Sequence, residues 1–270
     1  MIRLAANLSF LFTELPFLER FAAAARAGFG AVELAFPYDF PAAEIAARLR
    51  DSGLKLAILN TPAGDPARGE IGLAALPGRE SDAEESFRCA LRYAEALDAP
   101  RIHLLAGNLP PQVNHQAADE VFLSNIRRAA DLAAAAGREI TLEPLNAHDR
   151  PAYHLHSLAH ARALIDAAGR HNVRLQLDLY HARFAESDLI GVIDREFDVI
   201  GHVQIANFPD RGEPTPQGSD YPRVLARLQE LEYAGYVGCE YVPRGDTRSG
   251  MKWATPYLSM RAPLARLDLK

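Results

Sequence analysis

The sequence predicts a single (β/α)8 barrel, and three observations carry that reading. Short apolar runs alternate with Ala-rich amphipathic stretches about eight times along the 270 residues, a length that suits one large α/β domain. The loop after the first run, NLSFLFTELP, has no glycine, whereas a doubly wound nucleotide-binding sheet would more often place a Gly-rich phosphate turn there. No internal repeat, low-complexity linker or charge run divides the chain. One domain over 1–270 follows, with 246–270 expected as a C-terminal extension packed on the barrel or on a partner subunit of a homo-oligomer.

The elements follow in order. IRLAANL (2–8) is the first strand; LSFLF continues it, but Glu14 and Glu19 come next and no basic segment precedes it, so it is not read as a secretion signal. AVELAF (31–36) and LKLAIL (54–59) are the second and third strands, separated by a helix that opens at Pro41 and stops at Gly53. Ser81 with Glu84 three residues on has the form of a capping box and predicts a helix start. RIHLLA (101–106) is strand four. VFLSNIRRAADLAAAAG then keeps its apolar residues at helical spacing up to Gly137. EITLEP (139–144) precedes a helix opened by Ser157 and closed by Gly169. VRLQLD (173–178), VIGHVQI (199–205) and YVGCEY (236–241) complete the eight.

Composition excludes several partners. The chain is 49% hydrophobic and 24% charged with a net charge of −6 and no dense Lys/Arg block. Nucleic acid is therefore not expected, because phosphate neutralisation needs clustered basic residues. No apolar run reaches membrane-spanning length, so no membrane partner is expected. Two cysteines, Cys89 and Cys239, are too few for a disulfide framework and suit a reducing, cytoplasmic setting.

In such a barrel the C-terminal strand ends surround the active site. Strand five ends at Glu143, six at Asp178, seven at Gln204 and eight at Glu240. Strand alternation groups them: Val173, Leu175 and Leu177 alternate with Arg174, Gln176 and Asp178, while Val237 and Cys239 alternate with Gly238 and Glu240. The apolar sets meet the outer helices, so the polar sets turn into the barrel. Three carboxylates at one mouth need a counter-charge. An all-oxygen set of Glu143, Asp178, Gln204 and Glu240 suits a hard divalent cation, Mg2+ or Mn2+, rather than zinc.

The segments LEPLN, LQLDLYH, GHVQIA and VGCEYVPRGDT, together with NLSFLFTELPFLERFAAAARAGF, FPYDFPAAEIAARL and LPGRE, resemble the hydroxypyruvate isomerase family and the related 2-oxo-tetronate isomerases, both xylose-isomerase-like barrels. The resemblance spans nearly the whole chain. It implies Glu143 and Glu240 as paired acid/base glutamates, and Glu143, Asp178, Gln204 and Glu240 as metal ligands. The chain departs from the family after strand five, where Asn146, Ala147, His148 and Asp149 stand for N-T-R-D, and at Gly212, Gly218 and Val242. All lie in loops that would meet substrate.

The activity so implied converts a small hydroxy-oxo acid, hydroxypyruvate to 2-hydroxy-3-oxopropanoate, through an enediolate. The cation acts as Lewis acid, and the two glutamates move the carbon-bound proton. Substrate contacts are expected from His181, His103 and Arg211, while Arg244 is a further carboxylate-binding candidate. Glu33 reads as an interior carboxylate paired with a basic neighbour. His148, His154 and His156 read as a solvated or lid-forming loop rather than a zinc site. The rival readings are a 2-oxo-tetronate isomerase or keto-sugar epimerase on the same residues, a metal-dependent endonuclease of the same barrel group, and a non-catalytic small-molecule binding barrel. The endonuclease would want a His-rich metal cluster and a basic groove.

Overall fold

The computed structural model describes residues 1–215 and 220–258. Its strands are β1 (Arg3–Asn7), β2 (Ala31–Leu34), β3 (Lys55–Asn60), β4 (Arg101–His103), β5 (Glu139–Leu142), β6 (Val173–Asp178), β7 (Ile200–Ile205) and β8 (Tyr236–Cys239). They close in sequence order into a parallel eight-stranded barrel, with β8 returning to β1 through Leu4↔Val237 and Ala6↔Cys239. The helices are α1 (Phe17–Ala27), α2 (Ala42–Ser52), α3 (Glu80–Ala96), α4 (His115–Ala135), α5 (Leu158–Ala168), α6 (Leu179–Ala182), α7 (Leu189–Glu196), α8 (Tyr221–Glu230) and α9 (Thr247–Gly250). No described helix is long and apolar enough to cross a membrane. Both cysteines are free thiols.

Strand alternation sorts the residues into two layers. Leu4, Val32, Leu56, Ile102, Ile140, Val173, Leu175, Leu177, Val203 and Val237 are buried on the outer face of the barrel with the helical residues Phe21, Ile45, Phe87, Phe122 and Val224. Each such side chain contributes about 1.5–3 kcal/mol of burial. Inside, Ala5, Ala31 and Ala57 pack with Tyr236 as a small apolar group. Further along the strands the interior turns polar, with Asn7, Glu33, His103, Thr141, Gln176, His202 and Gln204 all buried.

Helix ends agree with their local chemistry except at two starts. Ser157 caps α5 by accepting from the His160 N–H at 3.2 Å, and Gly53 and Gly169 close α2 and α5 in the left-handed conformation. α3 starts near Ser81, at Glu80, but the Ser81–Glu84 capping box does not form: Arg79, paired with Glu70 and Asp82, stands at the N-cap position without a side-chain cap, and Ser81 lies inside the first turn. The helix expected over 121–137 begins earlier, at His115, where Asn114 accepts from the Gln116 N–H at 2.7 Å. β4 is shorter than RIHLLA because Ala106 leaves the barrel to bridge Gly72.

Of the stretch 246–270, the described part packs on the barrel. The Thr247 hydroxyl donates to Glu14 Oε2 at 3.0 Å and accepts from the Phe12 N–H at 2.8 Å, while Trp253 meets Tyr241 edge-on. Residues 259–270 lie outside the described residues.

Candidate active site

The C-terminal strand ends bring the predicted residues together. Glu143 follows β5 directly, Asp178 closes β6, Gln204 lies opposite Asp178 on β7, and Glu240 follows β8. Asp178 also caps α6, with its Oδ1 accepting from the Tyr180 N–H at 2.8 Å, which fixes where its other oxygen points. The Glu240 N–H still bonds Ile205 O at 3.1 Å, so its backbone is held by the sheet.

Glutamine side chains tie the carboxylates into one network. Gln176 donates to Glu143 Oε2 at 3.0 Å and to Gln204 Oε1 at 2.7 Å, while Thr141 donates to Gln176 Oε1 at 2.9 Å. Gln204 donates in turn to Glu240 Oε2 and to Glu33 Oε2, the latter at 2.9 Å. Asn7 donates to both Glu240 (3.0 Å) and Glu33 (3.2 Å), and Glu33 Oε1 is bonded to His202. Glu33 is thus paired with a basic neighbour, as its interior position suggests. Alternation in VRLQLD turns Gln176 inward but does not reveal that it bridges two strand ends. Asn7 and His202 carry even less signal, because their partners stand 233 and 169 residues away in sequence.

Arg211 is the cation of the mouth. Its guanidinium reaches Glu240 Oε1 at 2.7 Å and Asp178 Oδ2 at 3.6 Å, and it lies over the rings of Phe10 and Tyr180 at 5.1 and 4.9 Å. Burial works against its charge, but Glu240, Asp178 and Glu143 outweigh burial and raise its pKa. His181 is buried with Nε2 3.6 Å from Asp178 Oδ2, and Asn146 holds its Nδ1 at 2.6 Å. His103 has Nδ1 3.3 Å from Glu143 Oε2. Burial holds both rings neutral at pH 7, with His181 lowered to about 4 and His103 to about 3.

The carboxyls move the other way. Burial first, then the neighbouring Glu240 and Asp178 charges, push Glu143 well above the ordinary range. Burial pushes Glu240 up to about 8, with Arg211 opposing. Glu143 Oε1 and Asp178 Oδ2 are buried without a hydrogen-bond donor, and Glu143, Asp178 and His181 offer donor atoms all within 4.8 Å of one another. These residues fit a divalent cation. Glu240 is not part of that tight group, and Arg211 donates to its Oε1.

The loop residues sort differently from their sequence grouping. His148 is exposed, bonded to Asp149 at 3.0 Å and stacked on Phe184. His156 bonds Leu145 O at 2.8 Å, and His154 is buried against Asp119 and His160, so a common solvated or lid role does not describe the three. Arg244 is engaged by Asp210 and Glu213. Of the departing positions, the Gly212 carbonyl accepts from Asn207, Val242 is exposed, and Gly218 lies outside the described residues.

A family model described as a xylose isomerase-like TIM barrel matches residues 21–257. The chain belongs to that family. A 2-oxo-tetronate isomerase of Pectobacterium atrosepticum is 42% identical across 97% of this chain and 100% of its own length. The hydroxypyruvate isomerase of Escherichia coli is 38% identical across 95% of this chain and 100% of its own. By this kinship the chain is an isomerase of the hydroxypyruvate isomerase group. A crystal structure titled AP endonuclease, family 2, from Brucella melitensis superposes on the isomerase with a TM-score of 0.93 at 44% identity, covering 96% of this chain and 100% of that one. The 3-keto-D-glucoside 4-epimerase of E. coli shares the fold at a TM-score of 0.75 and 22% identity.

Proposed function

We propose that the chain isomerises a small hydroxy-oxo acid, hydroxypyruvate to 2-hydroxy-3-oxopropanoate, with Glu143 and Glu240 as the acid/base pair. Glu143, Asp178, Gln204 and Glu240 would hold a divalent cation, Mg2+ or Mn2+, with His181 beside them. The observation that carries this reading is the pair of glutamates at one mouth, Glu143 buried and Glu240 half-buried, both with raised pKa values and beside carboxylate oxygens that lack donors. When bound, such a cation supplies positive charge against the substrate's adjacent oxygens and against the two carboxyls.

One glutamate, ionised, takes the proton from the hydroxyl-bearing carbon and leaves an enediolate. The other, still protonated, returns a proton to the neighbouring carbon, while the hydroxyl proton passes to the former carbonyl oxygen, so that one proton has moved between the carbons and one between their oxygens. Raised pKa values suit this division, because they keep at least one carboxyl protonated near neutral pH. Neutral His181 and His103 present ring nitrogens to the substrate's oxygens, and Arg211 offers an unpartnered Nε–H to its carboxylate.

The test is an isomerisation assay on chelated and metal-supplemented enzyme across hydroxypyruvate, 2-oxo-tetronates and keto sugars. Turnover only on keto sugars would overturn the substrate class. Solvent deuterium should enter the product; its absence counts against proton transfer through an enediolate and for a hydride shift. The second reading is the four-carbon one: relatives at 42 and 43% identity are named 2-oxo-tetronate isomerases, while a relative named putative hydroxypyruvate isomerase also reaches 42%. A preference for 2-oxo-tetronates in the same assay would select it. Nuclease chemistry has little support at the mouth, where Arg211 is already engaged with two carboxylates.

A further inference from the structure

Away from the barrel mouth, α4, the loop after β5 and α5 bring three metal-ligating side chains to one point. Asp119 Oδ1 lies 2.8 Å from His154 Nε2 and 2.8 Å from His160 Nε2. The donor atoms of the three residues all lie within 4.8 Å of one another. His115, one turn before Asp119 on α4, stacks on the His154 ring at a centroid distance of 5.8 Å. Three imidazoles and a carboxylate are thus gathered where the glutamate-based chemistry of the mouth makes no use of them.

We propose that Asp119, His154 and His160 form a second metal site, for Zn2+ or a similar late first-row transition ion, with His115 or water in the fourth position. Imidazole nitrogen with one carboxylate is a donor set for such ions and not for Mg2+, which prefers oxygen. The burial pattern fits a binding site. The His154 side chain is fully buried, its Nδ1 has no partner, and its Nε2 bond to Asp119 is the tie that aims the ring into the cluster. Burial lowers its pKa, which keeps it in the neutral form a metal requires. Asp119 and His160 are 43% and 29% exposed, so they have room to shift apart from hydrogen-bond contact and let an ion in between. Phe122, edge-on to His154 at 6.0 Å, forms an apolar wall behind it.

The site would clamp the loop after β5 to α4. The loop's other ties include Leu145 N–H to Leu155 O (2.9 Å), His154 N–H to Gly107 O (2.9 Å) and Leu109 N–H to Ala152 O (2.8 Å), and it carries Asn146, which steadies His181. Binding releases the two histidine–aspartate hydrogen bonds and needs no redox partner.

Cobalt(II) and Zn2+ are the probes, used on the full chain after chelation. Cobalt(II) should give an intense visible d–d band of four- or five-coordinate metal, saturating at one equivalent for this site. The band should be lost in His160→Gln and Asp119→Asn, and persist in Glu143→Gln, which alters only the mouth. Zinc should raise the melting temperature of wild type, and His160→Gln should abolish that rise. Failure of the mouth to bind would lower total stoichiometry while leaving the band intact, so the two sites are read separately. A cobalt spectrum no different from the aqueous ion, or a band unchanged in both His160→Gln and Asp119→Asn, would overturn the proposal.

Discussion

Substituting Gly238 by alanine tests how the barrel interior supports the mouth. A Cβ at Gly238 would lie 1.9 Å from Glu33 Oε1 and 2.5 Å from its Cδ, so the Glu33 side chain must move. A flexible carboxylate usually yields cheaply, but Glu33 is 1% exposed and bonded to His202, Asn7 and Gln204. Displacing it forfeits one or two charge-assisted hydrogen bonds, at about 1.5–3 kcal/mol each. Forcing a methyl into a packed interior adds about 1–3 kcal/mol. A loss of about 4 kcal/mol is expected, which lowers the melting temperature by roughly 8–16 °C in a chain of this size. Activity should fall as well, because Asn7 and Gln204 hold both Glu33 and Glu240. Urea unfolding of Gly238→Ala, Glu33→Ala and the double variant measures the coupling. With Glu33 truncated, adding Gly238→Ala should cost less than about 1 kcal/mol. Equal costs in both backgrounds, or a neutral Gly238→Ala, would refute the steric account.

Four further expectations concern the mouth and its rim. Glu240→Gln and Glu143→Gln should each lower kcat by about 10²–10⁴-fold, the usual weight of acid/base catalysis. Near-wild-type turnover by either, with metal retained, would remove it from the acid/base pair. In chelated protein, stability should fall as pH rises from about 6.5 through about 8, above the range in which the depressed His181 and His103 act in the opposite sense. The folded chain holds the Glu240 proton more tightly than the unfolded one, with Glu143 acting in the same direction. Urea midpoints across that range check this, and added Mg2+ should flatten the slope. Arg211→Lys should raise KM by roughly tenfold or more with a smaller change in kcat, since a lysine cannot reproduce the guanidinium fork between Glu240 and the substrate. Thr247→Val should cost about 1–3 kcal/mol, read by thermal denaturation, because it leaves the buried Phe12 N–H without an acceptor.

Much of this molecule is legible in its sequence, for identifiable reasons. Apolar runs with period-two alternation mark all eight strands, because one face of each must meet helices while the other faces a polar interior. That alternation also aims Glu143, Asp178, Gln204 and Glu240 at a common mouth. Partners joined across the barrel are not legible. Nothing near Asn7 in sequence points to Glu240, and nothing near Glu33 points to His202, since closure of the ring alone makes them neighbours. Local signals also mislead where a stronger contact overrides them. Ser81 and Glu84 have the spacing of a capping box and mark the start of α3 to within a residue, yet Arg79, paired with Glu70 and Asp82, takes the N-cap position and the box does not form. The histidines of the loop after β5 look alike as a cluster, but their destinations depend on α4 and α5, which the loop sequence does not contain.

The joining of β8 to β1 has a consequence for how the molecule comes into being. Until residues 236–239 leave the ribosome, β1 and β7 are both open edges, and an open parallel edge can pair with another chain. Asn7, made 233 residues before Glu240, cannot meet it before that moment. The mouth is therefore assembled only once β8 has been made. Before that point the nascent chain is both inert and vulnerable to aggregation, and a pause or premature stop before β8 would be more damaging than one of equal length beyond the rim latch at Thr247.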